Sequence, residues 1–210
     1  NVSIPNMGLS QGEETRPGAS PILAWLLPIA LTAIAIILLA TGDSGRELLR
    51  YDRAALAGGE AWRLLSGHLV HLGTSHAVLN VAGLLLVWFL VGTALATREW
   101  LWVLAGSMAG VSAGLWFLSP QVGWYVGLSG ALHGLLAAGV IAQFRQRALE
   151  SSVIAAVVIG KLVYEQLLGP LPGSESTSGG NVVVDAHLFG LIGGTLVALT
   201  LIRVRGKAPI

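Results

Sequence analysis

Long apolar stretches dominate this chain and restrict it to very few architectures. A helix crosses a lipid bilayer with about 20 consecutive, mostly apolar residues. Stretches that reach or approach this length lie at residues 22–40, 69–91, 100–118, 128–144, 152–168 and 182–202. Charged residues make up only 11% of the chain, against roughly 25% in soluble domains. The sequence therefore predicts an all-α integral membrane protein, with six transmembrane helices in one bundle.

Two of these stretches allow more than one interpretation. Lys161 and Glu165 interrupt the fifth stretch, and their four-residue spacing lets them pair on one helix face, although Lys161 can also face a polar interior. The first stretch could be a signal peptide, but its uncharged run exceeds the about 7–15 residues of that class. Glu13 and Glu14 also precede it. We interpret it as a transmembrane helix.

The predicted bundle is a single domain, at residues 22–203, between two short tails. Residues 1–21 are mostly polar and contain prolines, which favours a disordered N-terminal tail. Residues 204–210 form the C-terminal tail. The formal net charge of +1 gives no indication of nucleic-acid binding, and the absence of cysteine excludes disulfides and thiol chemistry.

The distribution of basic residues predicts the orientation, because cytoplasmic loops are enriched in Lys and Arg. If the N-terminus is cytoplasmic, basic residues on the outer side occur only in the first loop, residues 41–67. Those on the inner side are Arg16, Arg98, Arg145, Arg147, Arg203, Arg205 and Lys207. We therefore expect both termini in the cytoplasm of a bacterial cell and the loops at 119–127 and 169–182 on the periplasmic side of the inner membrane.

A serine and a histidine begin two of the predicted spans at this outer side. Ser129 lies in the segment Gly-Leu-Ser-Gly at 127–130, and His187 in Ala-His-Leu-Phe-Gly at 186–190. A serine hydroxyl becomes an effective nucleophile when an adjacent base takes its proton. Ionisable residues at membrane depth are costly and usually functional. We predict that Ser129 is a nucleophile and that His187 is its base.

Further polar residues at the same depth suit acyl transfer. The oxyanion that forms during acyl transfer needs hydrogen-bond donors aimed at it. His76 and Asn80 share a helix face at four-residue spacing and can donate from their side chains, as can the backbone N–H of Ser129. Gly127 and Gly130 permit tight turns and close backbone approach beside the serine.

No acidic third member of the site is evident in the sequence. Asp185 lies two residues before His187, so on a helix it points elsewhere. The prediction is therefore a dyad of Ser129 and His187.

The order of these motifs resembles the rhomboid intramembrane serine proteases, over about residues 46–200. The resemblance implies a six-helix bundle around a water-filled cavity, with substrate entering between the second and fifth spans. It implies Ser129 as nucleophile and His187 as general base, without a cofactor or metal. It assigns the oxyanion hole to His76, Asn80 and the Ser129 amide, and a structural or water-retaining role to His71. The motif residues are His71, His76, Asn80, Gly127-x-Ser129-Gly130, Ala186-His187-x-x-Gly190 and, in the first loop, Trp62-Arg63.

One position departs from the family pattern, and one run suggests a subgroup. His133 stands where many rhomboids carry a tyrosine that stacks on the catalytic histidine, and an imidazole can stack as well. The run at 127–134 is similar to the rhombosortases, small bacterial rhomboids thought to process proteins with a C-terminal Gly-Gly, a transmembrane helix and a basic tail. The expected partners are thus membrane lipid and a single-span substrate cut near the outer face.

Three other functions remain open. A catalytically silent rhomboid-like protein would bind membrane clients, although such relatives usually lack the serine or the histidine. A metal or haem protein could use the five histidines, but His71 and His76 are five apart and no HExxH motif occurs. A transporter usually shows an internal repeat, and none is evident.

Overall fold

The computed structural model of the protein describes residues 25–205. The predicted N-terminal tail at residues 1–21, the first three residues of the first apolar stretch and residues 206–210 of the C-terminal tail lie outside the described residues. The last helix continues to Arg205, two residues beyond the domain boundary predicted at 203.

Helices make up most of the described chain, and two short strands connect its loops. The helices are α1 (Leu26–Leu39), α2 (Gly42–Leu49), α3 (Arg53–Ala57), α4 (Arg63–Ser66), α5 (Thr74–Val91), α6 (Thr97–Leu118), α7 (Ser129–Gln143), α8 (Ala148–Leu168), α9 (Ser174–Ser178) and α10 (Val184–Arg205). The strands are β1 (Tyr51–Asp52) and β2 (Trp124–Tyr125).

The all-α membrane architecture is confirmed, whereas a count of six spans is not. Within residues 25–205, four helices are long and apolar enough to cross a bilayer: α5, α6, α8 and α10. A fifth span is present if α1 and α2 are taken together, although the chain bends by 117° between them. Helix α7 is apolar but has only 15 residues, about 22 Å at 1.5 Å per residue.

Helix α7 is short because it is the centre of the bundle rather than one of its walls. It packs against α5, α6, α8 and α10, and most of its residues are buried. Its closest neighbours are α6 and α10. A helix that protein surrounds on all sides does not have to match the thickness of the bilayer by itself, because it has little contact with lipid.

Glycines allow α7 and α10 to approach closely, as small residues do between membrane helices. A Cβ atom on Gly190 would overlap the carbonyl oxygen of Gly130, and a Cβ on Gly194 would overlap the backbone of Gly134. The faces that carry these glycines therefore meet, and their contact sets the distance between the first turns of the two helices.

The first loop is ordered and is attached to the segment that leads into α7. Strand β1 pairs antiparallel with β2, with Tyr51 opposite Tyr125. The backbone N–H of Gly127 donates to the carbonyl of Gly67 at 3.0 Å. Arg63 is buried and donates to Glu60 Oε2 at 2.6 Å and to two backbone carbonyls of this loop. These contacts hold the backbone immediately before Ser129.

Candidate active site

Ser129 and His187 come within hydrogen-bond distance at one end of the bundle. Ser129 is the first residue of α7, and His187 lies in the first turn of α10. The Nε2 atom of His187 is 3.1 Å from the Oγ atom of Ser129. The histidine is buried, whereas the serine is partly exposed. A ring nitrogen at this distance is placed to accept the hydroxyl proton.

The other ring nitrogen of His187 contacts a carboxylate that the sequence-based dyad did not include. Glu165 Oε2, from α8, lies 2.9 Å from His187 Nδ1 and 2.7 Å from Lys161 Nζ. The Glu165 side chain is only 3% exposed. Pairing of Lys161 with Glu165 on one helix face was one of the two alternatives that the sequence left open, and the structure shows this pair. The contact of Glu165 with His187 was not predicted. The polar group around Ser129 and His187 is therefore larger than a dyad, because it includes the carboxylate of Glu165.

Asp185 points away from His187, as predicted. Its Oδ2 atom accepts a hydrogen bond from Ser119 Oγ at 2.5 Å, and Gln121 Nε2 lies 3.5 Å away. Asp185 therefore joins the start of α10 to the loop after α6, outside the polar group around His187.

His133 lies against the flat side of the His187 ring. The two ring centroids are 4.4 Å apart, and the ring planes are 23° apart. The Nδ1 atom of His133 is 2.8 Å from the carbonyl oxygen of Ser129, which requires that nitrogen to be the donor. An imidazole thus stacks at this position, as expected from the sequence.

His76 and Asn80 of α5 line the same cavity as Ser129, and both side chains lie close to Gly127. The backbone N–H of Leu72 donates to His76 Nδ1 at 3.3 Å, so the ring proton lies on Nε2. The Asn80 amide donates one hydrogen to the carbonyl of His76 at 2.9 Å and retains a second. The first backbone N–H groups of α7 have no partner within the helix. Three kinds of donor are therefore available in the cavity that Ser129 lines.

Gly127 provides the space in which the His76 ring lies. Its φ of +118° is one that side-chain-bearing residues rarely adopt. A Cβ on Gly127 would lie 2.7 Å from His76 Cε1 and 2.9 Å from His76 Nε2. The glycine is therefore needed both for the backbone conformation and for the position of the imidazole.

Two more histidines lie buried just outside the spans. His68 Nε2 is 3.0 Å from Ser112 Oγ, and burial lowers the pKa of His68 to about 4. His71 meets His76 edge to face, with ring centroids 5.3 Å apart, and neither of its ring nitrogens has a hydrogen-bond partner among the described residues. Burial and the nearby His76 lower the pKa of His71 to about 4. Both rings are thus uncharged at neutral pH.

A cavity of about 880 Å³ opens over these residues. Its floor carries Ser129, His187 and the donors of α5, and most of its wall is apolar. Helices α5 and α8 both line it but make few direct contacts with each other. The segment at 171–183, which includes α9, also lines the cavity. The space can hold an extended segment of another chain with its backbone next to Ser129.

A comparison with protein families identifies the chain. The family profile described as "Rhomboid domain" matches residues 58–204, which include every residue of this site. The chain belongs to the rhomboid family. It is also similar to "Putative rhomboid protease YdcA" of Bacillus subtilis (strain 168), with 27% identity over 162 residues, 77% of this chain and 78% of the relative. The family resemblance seen in the sequence is confirmed.

One cluster of this rhomboid could be taken for a metal centre. His133, Glu165 and His187 each offer a ligand atom, and these atoms lie within 4.8 Å of one another. The two imidazoles are stacked nearly parallel, so their lone pairs do not converge on one ion. The ammonium of Lys161 already contacts the carboxylate, where a metal cation would bind. The contacts of this cluster therefore fit hydrogen bonding and ring stacking better than they fit metal binding.

Proposed function

We propose that this rhomboid is an intramembrane serine endopeptidase with Ser129 as its nucleophile. The observation that carries the proposal is the 3.1 Å distance between Ser129 Oγ and His187 Nε2 at the floor of the cavity. A serine hydroxyl next to a buried imidazole is the arrangement that activates serine for attack on a carbonyl carbon.

The reaction follows from these atoms. His187 Nε2 takes the proton of the Ser129 hydroxyl as Oγ bonds to the carbonyl carbon of the substrate. The developing oxyanion is stabilised by the N–H of His76 Nε2, by the free hydrogen of the Asn80 amide and by the backbone N–H of Ser129. The peptide C–N bond then breaks, and His187 returns the proton to the leaving amine. Water completes the cycle by hydrolysing the acyl-enzyme, with His187 again acting as base.

The substrate is a transmembrane protein that enters laterally. The sparse contact between α5 and α8 supports entry on that side, because a helix in the lipid could reach the cavity there without leaving the membrane. The apolar wall of the cavity suits a segment that comes from the bilayer. The rhombosortase-like run at 127–134 favours a substrate with one span and a C-terminal Gly-Gly sorting segment.

We further propose that the site opens to the periplasm of a bacterial cell, with both termini in the cytoplasm. The ion pair of Arg205 with Glu99 joins the end of α10 to the start of α6, so these two ends share one side of the membrane. Arg98 and Arg203 lie at the same side, which is the cytoplasmic one if basic residues mark it. Ser129 and His187 begin their helices at the opposite side.

A labelling experiment tests the proposed activity. Detergent-purified protein is treated with a fluorophosphonate and, separately, with an isocoumarin, two serine-directed probes of different shape. We expect wild type to be labelled and both Ser129→Ala and His187→Ala to lose the label. If folded wild type reacts with neither probe, the proposal fails, and a catalytically silent protein that binds membrane clients becomes the better account.

A cleavage experiment tests the proposed substrate class. Single-span reporter proteins with Gly-Gly before the span are compared in proteoliposomes with reporters that carry Val-Val at the same place. Cleavage of both to the same extent would leave the protease and reject the Gly-Gly sorting segment as its target.

A further inference from the structure

We infer that Glu165 and Lys161 are positioning residues for His187. The carboxylate of Glu165 selects the imidazole tautomer that can accept the proton of Ser129, and Lys161 keeps that carboxylate ionised and oriented. The inference rests on the proposed function, because it assigns the two residues a part in the same proton transfer.

The distances around Glu165 determine where the imidazole proton lies. An ionised carboxylate only accepts hydrogen bonds. Because Glu165 Oε2 is 2.9 Å from His187 Nδ1, the proton of the neutral ring must be on Nδ1. Nε2 then presents its lone pair to Ser129 Oγ, at 3.1 Å. Without an acceptor at Nδ1, the ring could carry its proton on Nε2. Nε2 would then have no lone pair to accept the proton of Ser129.

Lys161 could be read as a direct partner of the histidine, but its geometry argues otherwise. Lys161 Nζ is 3.3 Å from His187 Nδ1 and 2.7 Å from Glu165 Oε2, so the shorter contact is with the carboxylate. An ammonium that donated to Nδ1 would force the ring proton onto Nε2, toward Ser129. The arrangement is consistent only if both Lys161 and the Nδ1–H of His187 donate to Glu165.

The depth of Glu165 explains why it needs a cation of its own. A lone carboxylate with 3% of its side chain exposed, inside a membrane helix, would be costly and would tend to take up a proton. Lys161 lies one turn earlier on the same face of α8, its side chain is 29% exposed, and it lines the cavity. The pair is neutral overall, and loss of Lys161 would leave the buried carboxylate without a partner, whereas Lys161 without Glu165 can still reach the cavity.

A purely structural role for the ion pair of Lys161 with Glu165 would not explain why Glu165 also contacts His187 on α10. Lys161 and Glu165 could satisfy each other within α8 while facing any neighbour. Instead the same carboxylate oxygen contacts both Lys161 and His187, and His133 confines the ring from its flat side. The carboxylate thus restricts rotation of the His187 imidazole within the plane of its ring, a motion that stacking with His133 leaves free.

The test compares Glu165→Gln, Glu165→Asp, Lys161→Met and Lys161→Arg with wild type. The matched control is Asp185→Asn, which removes the acid nearest to His187 in sequence but leaves Glu165 intact. The rate of fluorophosphonate labelling and the midpoint of thermal unfolding are measured for each. The His187 tautomer is read by ¹⁵N solid-state NMR in proteoliposomes, with the signal assigned by its loss in His187→Ala.

We expect Glu165→Gln to slow labelling by about 10²- to 10⁴-fold with little change in unfolding, as loss of the correct tautomer does in soluble serine proteases. The glutamine amide can donate to Nδ1 and move the proton to Nε2, which the NMR spectrum would report. Glu165→Asp should label faster than Glu165→Gln, and Lys161→Arg should label faster than Lys161→Met. Asp185→Asn should label like wild type.

Two results would overturn the inference while leaving the proposed protease intact. One is a folded Glu165→Gln protein that labels within about threefold of wild type while Ser129→Ala does not label. The other is a wild-type spectrum in which His187 carries its proton on Nε2, a measurement that holds even if the Glu165 variants do not fold. Loss of the proposed function itself would appear differently, as unlabelled folded wild type.

Discussion

The imidazole of His133 lies flat on that of His187, with ring centroids 4.4 Å apart. His133 is one helical turn after Ser129, so α7 supplies both the serine and the ring that confines the histidine. Glu165 contacts the edge of the same imidazole from α8. His187 is therefore held by two helices that it does not belong to, and each constrains a different motion of the ring.

The stacking role predicts how His133 tolerates substitution. We expect His133→Tyr to keep the labelling rate of wild type within a few-fold, because an aromatic ring of similar area can occupy the same face of His187. His133→Ala should slow labelling by up to about tenfold, since a stacked pair contributes about 0.5–1.5 kcal/mol. The measurement is the second-order rate with a fluorophosphonate. A loss in His133→Tyr as large as that in Ser129→Ala would show that the imidazole itself is required.

Ser129 and His187 could be predicted from the sequence because each lies near the start of an apolar stretch and within three residues of a glycine. This pattern is local, so it is visible without the structure. It did not indicate Glu165 as a partner of His187. The two residues lie on different helices, and nothing in the spacing of α8 shows which neighbour its charged face meets. A carboxylate within a span is costly, and one partner on its own helix does not fully offset that cost. This cost was the sequence signal that Glu165 could have a second partner on another helix.

The predicted number of spans is not confirmed for a related reason. An apolar stretch indicates only that its residues are shielded from water. A helix that is buried inside the protein and a helix that faces lipid are both shielded in this way. The stretch at 128–144 is apolar enough to predict a span, but its helix α7 has only 15 residues and is packed among four other helices. The first stretch contains α1, and the chain bends by 117° between α1 and α2, so these two helices form a span only if they are taken together. Hydropathy alone does not distinguish these cases.

Gly127 offers a sharp test of the proposed oxyanion hole. Gly127→Ala places a Cβ against the His76 ring and on a backbone with φ of +118°. We expect the variant to fold but to label about 10²-fold more slowly, the usual cost of losing one oxyanion donor. The matched control is Gly123→Ala in the same loop, where a Cβ would meet nothing within 4 Å. Equal rates in the two variants would exclude His76 as a donor.

The contact between α7 and α10 predicts a second glycine effect. Gly190→Ala directs a methyl group at the carbonyl of Gly130, so the helices must separate near the serine and the histidine. We expect a lower unfolding midpoint and slower labelling together. Gly160→Ala is the control on α8, because its Cβ would lie in open space and alanine favours a helix by about 0.5–1 kcal/mol. If Gly190→Ala reacted like Gly160→Ala, this contact would not set the geometry of the site.

His68 and His71, which are buried between α4 and α5, predict how stability depends on pH. The pKa of His68 is about 4 in the folded protein, below its ordinary value near 6.5. The unfolded chain therefore takes up a proton first as the pH falls, and the contribution of His68 to stability, complete above about pH 6.5, is lost as the pH approaches 4. Between pH 7 and 5 this loss is on the order of 2 kcal/mol.

Thermal unfolding in detergent at several pH values measures this dependence. The unfolding midpoint of wild type should fall steadily from pH 7 to 5. His68→Gln, which can still donate to Ser112 but does not titrate, should start lower and fall less steeply. His71 shares the same lowered pKa, so the variant keeps part of the slope. If wild type and His68→Gln had parallel profiles, the acid sensitivity would have to come from other groups.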